Sequence, residues 1–237
     1  MDVQEFSNAF DTLLNSYNAQ AQFGEEYSKG EIALDEYEKS VYLTKAQEEV
    51  VINLYNGKNP YGYSFESTEE MRRCLENLVR TKVYDDDDKV EGVGVAPSSV
   101  FYKLLPDTAF ITMEQVILQD ESLGCYNGKT AAVYPITQDE YSRIRNNPFR
   151  GPTKYKAVRL DCGAGIVELI SKYSIGKYMV RYLSKPEPII LVNLPSGLTI
   201  EGKSTVAGCK LNSILHNTIL TRAVQMALQT KGISAAK

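Results

Sequence analysis

The sequence of 237 residues contains no tryptophan, one histidine and four cysteines that are widely separated from one another. A single histidine, His216, excludes any metal site or catalytic arrangement that needs two imidazoles. The cysteine spacing excludes a small disulfide framework and predicts reduced, buried thiols. No apolar run approaches the roughly 18–20 residues of a membrane helix, and the first residues do not resemble a secretory signal. We expect a protein that stays in the cytoplasm in which it is made.

Motifs for nucleotide binding and catalysis are incomplete. The stretch from Gly124 to Thr130 ends in Gly-Lys-Thr but has three residues between its glycines, whereas a P-loop has four. A site joining Cys162, Asp161 and His216 would require residues far apart in sequence to meet, and Cys162 is expected on the apolar face of its strand. We therefore predict a protein that is not an enzyme and has no catalytic residue, metal site or cofactor. An enzyme using those three residues remains an alternative.

The composition, with 43% hydrophobic and 24% charged residues, is that of a globular protein. The first third of the chain is predicted to be helical. Apolar residues recur at helical spacing over 3–17 and 43–55, and Gly57 follows the second stripe as a helix stop. A capping-box pattern, Ser67-x-x-Glu70, opens a third helix, expected to run to about Lys82. The sequence thus predicts an N-terminal helical region over residues 1–82.

A mostly antiparallel β domain is predicted for the remainder of the chain. The four consecutive carboxylates of Asp85–Asp88 repel one another, so residues 83–99 are expected to form an acidic linker or loop. Residues 100–237 are expected to form a β-rich domain that closes with an amphipathic helix over Leu211–Leu228. The strand candidates, chosen for their alternation and β-branched content, are Val100–Leu104, Phe110–Leu118, Ala131–Ile136, Ala157–Cys162, Ile166–Ser171, Tyr178–Leu183 and Ile189–Val192. The fold class is therefore α+β.

Charge is distributed unevenly along the chain. Residues 1–91 carry 20 acidic and 9 basic side chains, and residues 92–237 carry 10 acidic and 17 basic ones. The basic tract, defined as residues 143–185, suits an acidic protein, the acidic half of a neighbouring copy, or nucleic acid, although two ordinary solvated faces would give the same counts. Its candidate interface or DNA-channel residues are Arg143, Arg145, Arg150, Lys154, Lys156, Arg159, Lys172, Lys177, Arg181 and Lys185. The aromatic residues among them, Tyr141, Phe149, Tyr155, Tyr173, Tyr178 and Tyr182, could stack on bases or form a protein interface.

Five stretches of the sequence resemble segments of known proteins. They are Leu34-Asp-Glu-Tyr-Glu-Lys-Ser-Val-Tyr-Leu-Thr-Lys-Ala-Gln-Glu-Glu-Val-Val51, Pro135-Ile-Thr-Gln-Asp-Glu-Tyr141, Asn147-Pro-Phe-Arg-Gly-Pro152, Tyr182-Leu-Ser-Lys-Pro-Glu-Pro-Ile-Ile-Leu191 and Leu211-Asn-Ser-Ile-Leu-His216. Together they resemble a family of virion structural proteins from crAss-like bacteriophages, and the resemblance extends from Asp2 to Leu228.

The resemblance implies a ring or adaptor subunit of the head-to-tail connector, docked below the portal and continuing its channel for genome packaging, retention and ejection. It implies a twelve-fold homo-oligomeric ring whose partners are the portal protein and other tail or ring proteins, with non-specific contact to packaged double-stranded DNA and no membrane. In such adaptors the N-terminal helices, here matched by Leu43–Tyr55, commonly build the ring core. The protein would be made in the host cytoplasm and end up in the virion. The alternatives are a DNA-binding accessory protein that uses the basic tract, or another tail or capsid structural protein.

Overall fold

The computed structural model describes residues 1–21, 33–60, 62–145, 147 and 149–231. The chain divides into two compact units. The helical unit combines residues 1–78 with residues 185–237, and the sheet unit is formed by residues 79–184. The chain thus leaves the helical unit, builds a sheet and returns, whereas the sequence predicted consecutive regions over 1–82, 83–99 and 100–237. The predicted α+β class, with N-terminal helices, a central mostly antiparallel sheet and a C-terminal helix, is confirmed.

Two long helices open the helical unit as predicted. Helix α1 spans Val3–Ala21 and buries Phe6, Phe10 and Leu14. Helix α2 spans Glu36–Asn56 and begins with a capping box made by Asp35 and Glu38. It ends at Gly57, whose φ of 75° is in the left-handed region that glycine adopts without steric penalty.

The third helix is much shorter than predicted. Helix α3 spans Glu69–Cys74 and is capped by Thr68 rather than Ser67. A 3-10 turn follows, and the chain enters strand β1, Val79–Tyr84, where the sequence had predicted helix. Because β1 pairs along its whole length with another strand, sheet pairing takes precedence over the local apolar spacing that favoured a longer helix.

Within the described residues, eight strands form one sheet in the order β1-β8-β4-β5-β6-β7-β3-β2, so β1 and β2 lie at its two edges. Every pair is antiparallel except β5 and β6. After β1 the strands are Lys89–Val90 (β2), Ser99–Lys103 (β3), Thr108–Leu118 (β4), Thr130–Pro135 (β5), Lys156–Gly163 (β6), Ile166–Ile170 (β7) and Ile175–Ser184 (β8). Six of the seven strand candidates are confirmed. The stretch predicted as an acidic linker contains the end of β1, a 3-10 turn over Asp86–Asp88 and all of β2.

Tyrosines from three strands meet in the interior of the sheet unit. The ring centroids of Tyr84 in β1 and Tyr102 in β3 are 5.8 Å apart, and Tyr178 in β8 lies 5.6 Å from the first and 5.3 Å from the second. Strands β1 and β3 are far apart in the strand order, so this contact requires the sheet to curl around its apolar face. Burial raises the pKa of Tyr102 to about 12, and the carboxylates of Asp86, Asp85 and Asp88 act in the same direction.

The seventh strand candidate, Ile189–Val192, is wrong. This segment lies in the helical unit and makes one isolated bridge, between Ile190 and Ala207. Side chains of α2 accept hydrogen bonds from its backbone N–H groups at Ile189 and Leu191. Strand-like sequence therefore does not produce a sheet strand at this position, because helix side chains satisfy the backbone groups that a neighbouring strand would otherwise pair.

The chain ends in the predicted C-terminal helix. A 3-10 turn over Ser213–Leu215 leads into helix α5, His216–Thr230, which packs against α1 and α2. Its buried stripe consists of Ile219, Leu220, Ala223, Val224, Ala227 and Leu228. The remaining helix, α4, spans Gln138–Ile144 in the sheet unit and is capped by Thr137. No helix in the described ranges is long and apolar enough to span a membrane.

Candidate functional site

The ten candidate residues of the basic tract are distributed over both units. Nine of them lie in the sheet unit, and Lys185 is the first residue of the returning part of the helical unit. Eight are exposed and Lys156 is half-buried. The exposed ones are Arg143, Arg145, Arg150, Lys154, Lys172, Lys177, Arg181 and Lys185.

Arg159 is a correction to the predicted set, because it is only 8% exposed. It lies on the inner side of β6, where its guanidinium Nη1 is 3.2 Å from Glu114 Oε1. The hydroxyl of Tyr178 donates a hydrogen bond to the same carboxylate oxygen. Arg159 therefore neutralises a buried acid of its own chain, and its Nε also lies 3.6 Å from the exposed Asp161.

Two lysines of the tract contact tyrosine rings, of which Tyr134 and Tyr155 are exposed and Tyr126 is half-buried. Lys154 Nζ lies 4.8 Å from the ring centroid of Tyr126 and 5.0 Å from that of Tyr155, and Lys156 Nζ lies 5.0 Å from that of Tyr134. We call these five residues the basic aromatic surface. A hydrogen bond from Tyr126 and the nearby Lys154 lower the pKa of Tyr155. A lysine ammonium group placed over an aromatic ring can bind an acidic group or another aromatic ring of a partner.

Of the aromatic residues of this surface, the sequence suggested only Tyr155. Tyr141, Tyr178 and Tyr182 are buried. Tyr126 and Tyr134 lie outside the basic tract in sequence and were missed. Tyr134 could have been found from the alternation of β5, in which buried Ala131 and Val133 leave the residue after them facing outward.

A short loop next to this surface displays an apolar side chain. Phe149 is 93% exposed. The Oδ1 atom of Asn147 accepts hydrogen bonds from the backbone N–H groups of Phe149 (2.9 Å) and Arg150 (3.2 Å), and its carbonyl accepts one from Gly151 (2.8 Å). Lys156 Nζ donates to the carbonyl of Arg150 at 3.1 Å. These bonds hold the backbone of residues 149–151 against Asn147 and Lys156, and the side chains of Phe149 and Arg150 are both exposed.

Three of the four carboxylates of the acidic run pair with lysines of the sheet unit. Asp85 is 3.3 Å from Lys177 of the basic tract, Asp88 is 3.4 Å from Lys82, and Asp86 pairs with Lys89. Residues 79–184 as a whole carry 13 acidic and 14 basic side chains. The division of charge at residue 91 therefore does not coincide with a division of the structure.

The cysteines do not fit the expectation of buried thiols. Cys74 is buried and Cys209 is half-buried, but Cys125 and Cys162 are exposed. Partial desolvation and the neighbouring Glu168 carboxylate raise the pKa of the Cys162 thiol, which disfavours the thiolate that a nucleophile needs. Within the described part of the chain, no three His, Cys, Asp or Glu side chains are grouped to hold a metal ion.

The helical unit contains an apolar groove that the sequence did not indicate. It has a volume of about 620 Å³ and is bounded by α2, α3, the 3-10 turn at Ser213–Leu215 and α5. Buried Val50, Leu54, Met71 and Leu215 form much of its lining. Ile214 lies at its rim and is 69% exposed. A groove assembled from three separate segments has no local sequence pattern, which is why sequence inspection could not find it.

Comparison with known proteins indicates what kind of protein carries these surfaces. A sequence model of the family described as phage tail ring protein 3/4 matches residues 1–237. The chain belongs to the phage tail ring protein 3/4 family. It is 49% identical over 233 residues to "Ring protein 3" of Bacteroides phage crAss001, an alignment that covers 98% of this chain and 96% of that protein. It is 36% identical over 245 aligned positions to "Ring protein 4/5" of the same phage, covering 96% of this chain and 92% of that protein.

The family membership confirms the resemblance found in the sequence. A tail ring protein is a structural component of a phage particle, and its name describes an assembly of subunits. Surfaces that contact other copies or other virion proteins are therefore the functional sites to seek on this chain. The basic aromatic surface, the Phe149 loop and the apolar groove are the described features best suited to such contacts.

Proposed function

We propose that this tail ring protein forms a closed ring of the head-to-tail connector, docked below the portal, and that the ring continues the channel used for genome packaging, retention and ejection. The observation that carries the proposal is the match of the whole chain to the tail ring family, with 49% identity to a named ring protein. Twelve copies, contacts with the portal and with other tail proteins, and a role that involves no catalysis are parts of the same proposal.

The structure supports ring formation through its unlike surfaces. In a ring with cyclic symmetry and more than two copies, each copy presents two different patches that complement each other. This chain has a projecting loop with arginines in the sheet unit and an apolar groove in the helical unit. Such a pair of surfaces suits head-to-tail contacts better than a self-complementary dimer contact.

Cross-linking mass spectrometry on purified particles tests the location. The exposed amines of Lys45, Lys154 and Lys185 are suitable positions for a lysine-reactive reagent. We expect links to the portal protein, to neighbouring tail proteins and between copies of this chain. Absence of the protein from particles, or links only to capsid proteins far from the portal vertex, would contradict the connector proposal.

A second candidate function, binding of DNA as an accessory protein, is favoured by the basic aromatic surface. Lysines and exposed tyrosines together contact phosphates and stack on bases in proteins that bind single strands. Affinity for random duplex and single-stranded DNA, measured by fluorescence anisotropy from about 50 to 200 mM salt, tests this candidate. A steep fall with salt that becomes shallower in Lys154→Ala would support it, because each neutralised phosphate adds to the slope. Binding that does not change with salt would exclude it.

A further inference from the structure

The apolar groove of the helical unit continues into an acidic cleft. A second concavity of about 750 Å³ shares Glu70 and Ile214 with the groove and is also lined by Glu69, Arg73 and Glu76. The groove and the cleft thus adjoin at these two residues, and we call them together the recess, which has an apolar part and an acidic part. Such a recess matches a ligand segment that has an apolar side chain next to a cation.

Within the part of the chain that the structure describes, two of the acids along this recess have no cationic partner. Arg222 pairs with Glu49 through two nitrogens, at 2.9 and 2.8 Å, and Arg73 pairs with Glu69 at 2.7 Å. Among the described residues neither Glu70 nor Glu76 has an ion pair. Their carboxylates are exposed and available to a cation from outside the chain.

The Phe149 loop has the complementary chemistry. Phe149 and Arg150 are consecutive, both exposed, and held in position by Asn147. Within the ranges that the structure describes, Arg145 and Arg150 have no ion-pair partner, whereas Arg143 is paired with Asp139 at 2.8 Å. This part of the sheet unit therefore offers one exposed apolar side chain and two guanidinium groups without a described ion pair, and the hydrogen bonds at residues 149–151 hold Phe149 and Arg150 in place before docking.

We propose that the Phe149 loop of one copy docks into the recess of the helical unit of the neighbouring copy, with Phe149 in the apolar groove and Arg150 beside Glu70 and Glu76. The occupant is a second copy of this chain, because the charges and the apolar parts are complementary and the two surfaces differ, as a ring contact requires. The inference rests on the proposed ring, and it adds the residues that join one subunit to the next.

A charge exchange tests this contact. Arg150→Glu and Glu76→Arg should each lower the concentration-dependent assembly of the purified protein by about tenfold or more, as measured by native mass spectrometry. An equimolar mixture of the two variants should assemble again. In that mixture the new glutamate of the first variant faces the new arginine of the second, and the unchanged Arg150 of the second faces the unchanged Glu76 of the first. The matched controls are Lys172→Glu and Glu121→Arg, which change the same charges at exposed positions outside both surfaces.

The apolar part has its own variant and control. Phe149→Ser should weaken assembly, whereas Val93→Ser, at a position that is 100% exposed, should leave it unchanged. Replacement of Phe149 by p-benzoylphenylalanine, with illumination in the presence of isotope-labelled wild-type protein, should give adducts between copies in peptides that contain residues 69–76 or 214–225. This readout also detects transient pairs and does not require closed rings.

The outcomes separate this inference from the proposed function. Assembly of both charge variants as in the wild type, a mixture that does not recover, or adducts outside the recess would overturn the contact. Each of those results is compatible with a connector ring in particles, which the lysine cross-links test independently. If particle cross-links exclude the connector while the mixture still recovers, the contact between copies stands and the location is wrong. A wild-type protein that gives neither oligomers nor adducts would overturn the inference.

Discussion

Three side chains inside the sheet unit form a buried charged cluster. Glu114 is on the inner face of β4 with Val116 and Leu118, where it accepts hydrogen bonds from Arg159 and Tyr178. Burial raises the pKa of Glu114, while Arg159 and Tyr178 lower it. Neither charge is stable in an apolar interior without the other. The pair was not predictable from the sequence, because an arginine in an alternating strand ordinarily faces solvent.

We expect Glu114→Ala to lower the free energy of unfolding by about 3 kcal/mol, because it leaves the buried guanidinium of Arg159 with only the exposed Asp161, 3.6 Å from its Nε, as a counter-charge. Chemical denaturation followed by circular dichroism measures the change. Asp139→Asn, which removes an ion pair whose two side chains are both 77% exposed, is the control and should change stability by less than about 0.5 kcal/mol. A loss at Glu114 as small as that of the control would show that Arg159 reaches water.

At the scale of elements, α2 takes the place of a neighbouring strand for the returning chain. Ser40 accepts a hydrogen bond from the N–H of Leu191 at 3.0 Å, and Thr44 accepts one from the N–H of Ile189 at 3.1 Å. Gln47 donates to the carbonyl of Glu187 at 2.7 Å. These polar residues are spaced four and three apart, so they lie on one face of the helix. They satisfy backbone groups that would otherwise be buried without partners.

Replacing Thr44 by valine keeps the side-chain shape but removes this bond. We expect the free energy of unfolding to fall by about 1–3 kcal/mol, because the buried N–H of Ile189 loses its acceptor. The control is Thr12→Val in α1, where an exposed threonine hydroxyl is bonded only to the carbonyl of Asn8 in its own helix. Equal stability of the two variants in thermal denaturation would contradict the role assigned to Thr44.

Sequence patterns predicted the helices and strands that are determined by residues close together in the chain. The glycine that ends α2 and the alternation in β3 and β4 are visible along the chain. Strand β1 was missed because its partner β8 follows about a hundred residues later, and Ile189–Val192 was misread because its partner is a helix. The groove and the basic aromatic surface combine segments that only the folded chain brings together.

At the scale of the whole molecule, the helical unit is built from two segments of the chain, and the sheet unit lies between them in sequence. Helix α5 packs on α1 and α2, and its buried stripe contributes six apolar side chains to that core. The helical unit therefore cannot be completed until the last helix has been synthesised. The sheet unit, by contrast, is continuous in sequence.

Ending the chain at Lys210 should expose the first two helices but preserve the sheet. We expect hydrogen exchange mass spectrometry to show rapid exchange over 3–56 and continued protection over 79–184, because the sheet keeps all of its hydrogen-bonded pairs. A chain ending at Lys231 retains all of α5 and should match the full protein in both regions. Loss of protection in the sheet together with the helices would mean that the two units unfold as one cooperative structure.

The two edges of the sheet restrict how copies can join. Strand β2 has only two residues, and β1 carries Arg80 and Lys82 along its six. Short or positively charged edges discourage the addition of a foreign strand, which can otherwise continue without limit and produce fibrils. Contacts between copies are therefore expected to use side-chain surfaces. When each such contact rotates the next copy by the same angle, the assembly can close into a ring. A subunit with these edges is suited to an assembly that terminates after a defined number of copies.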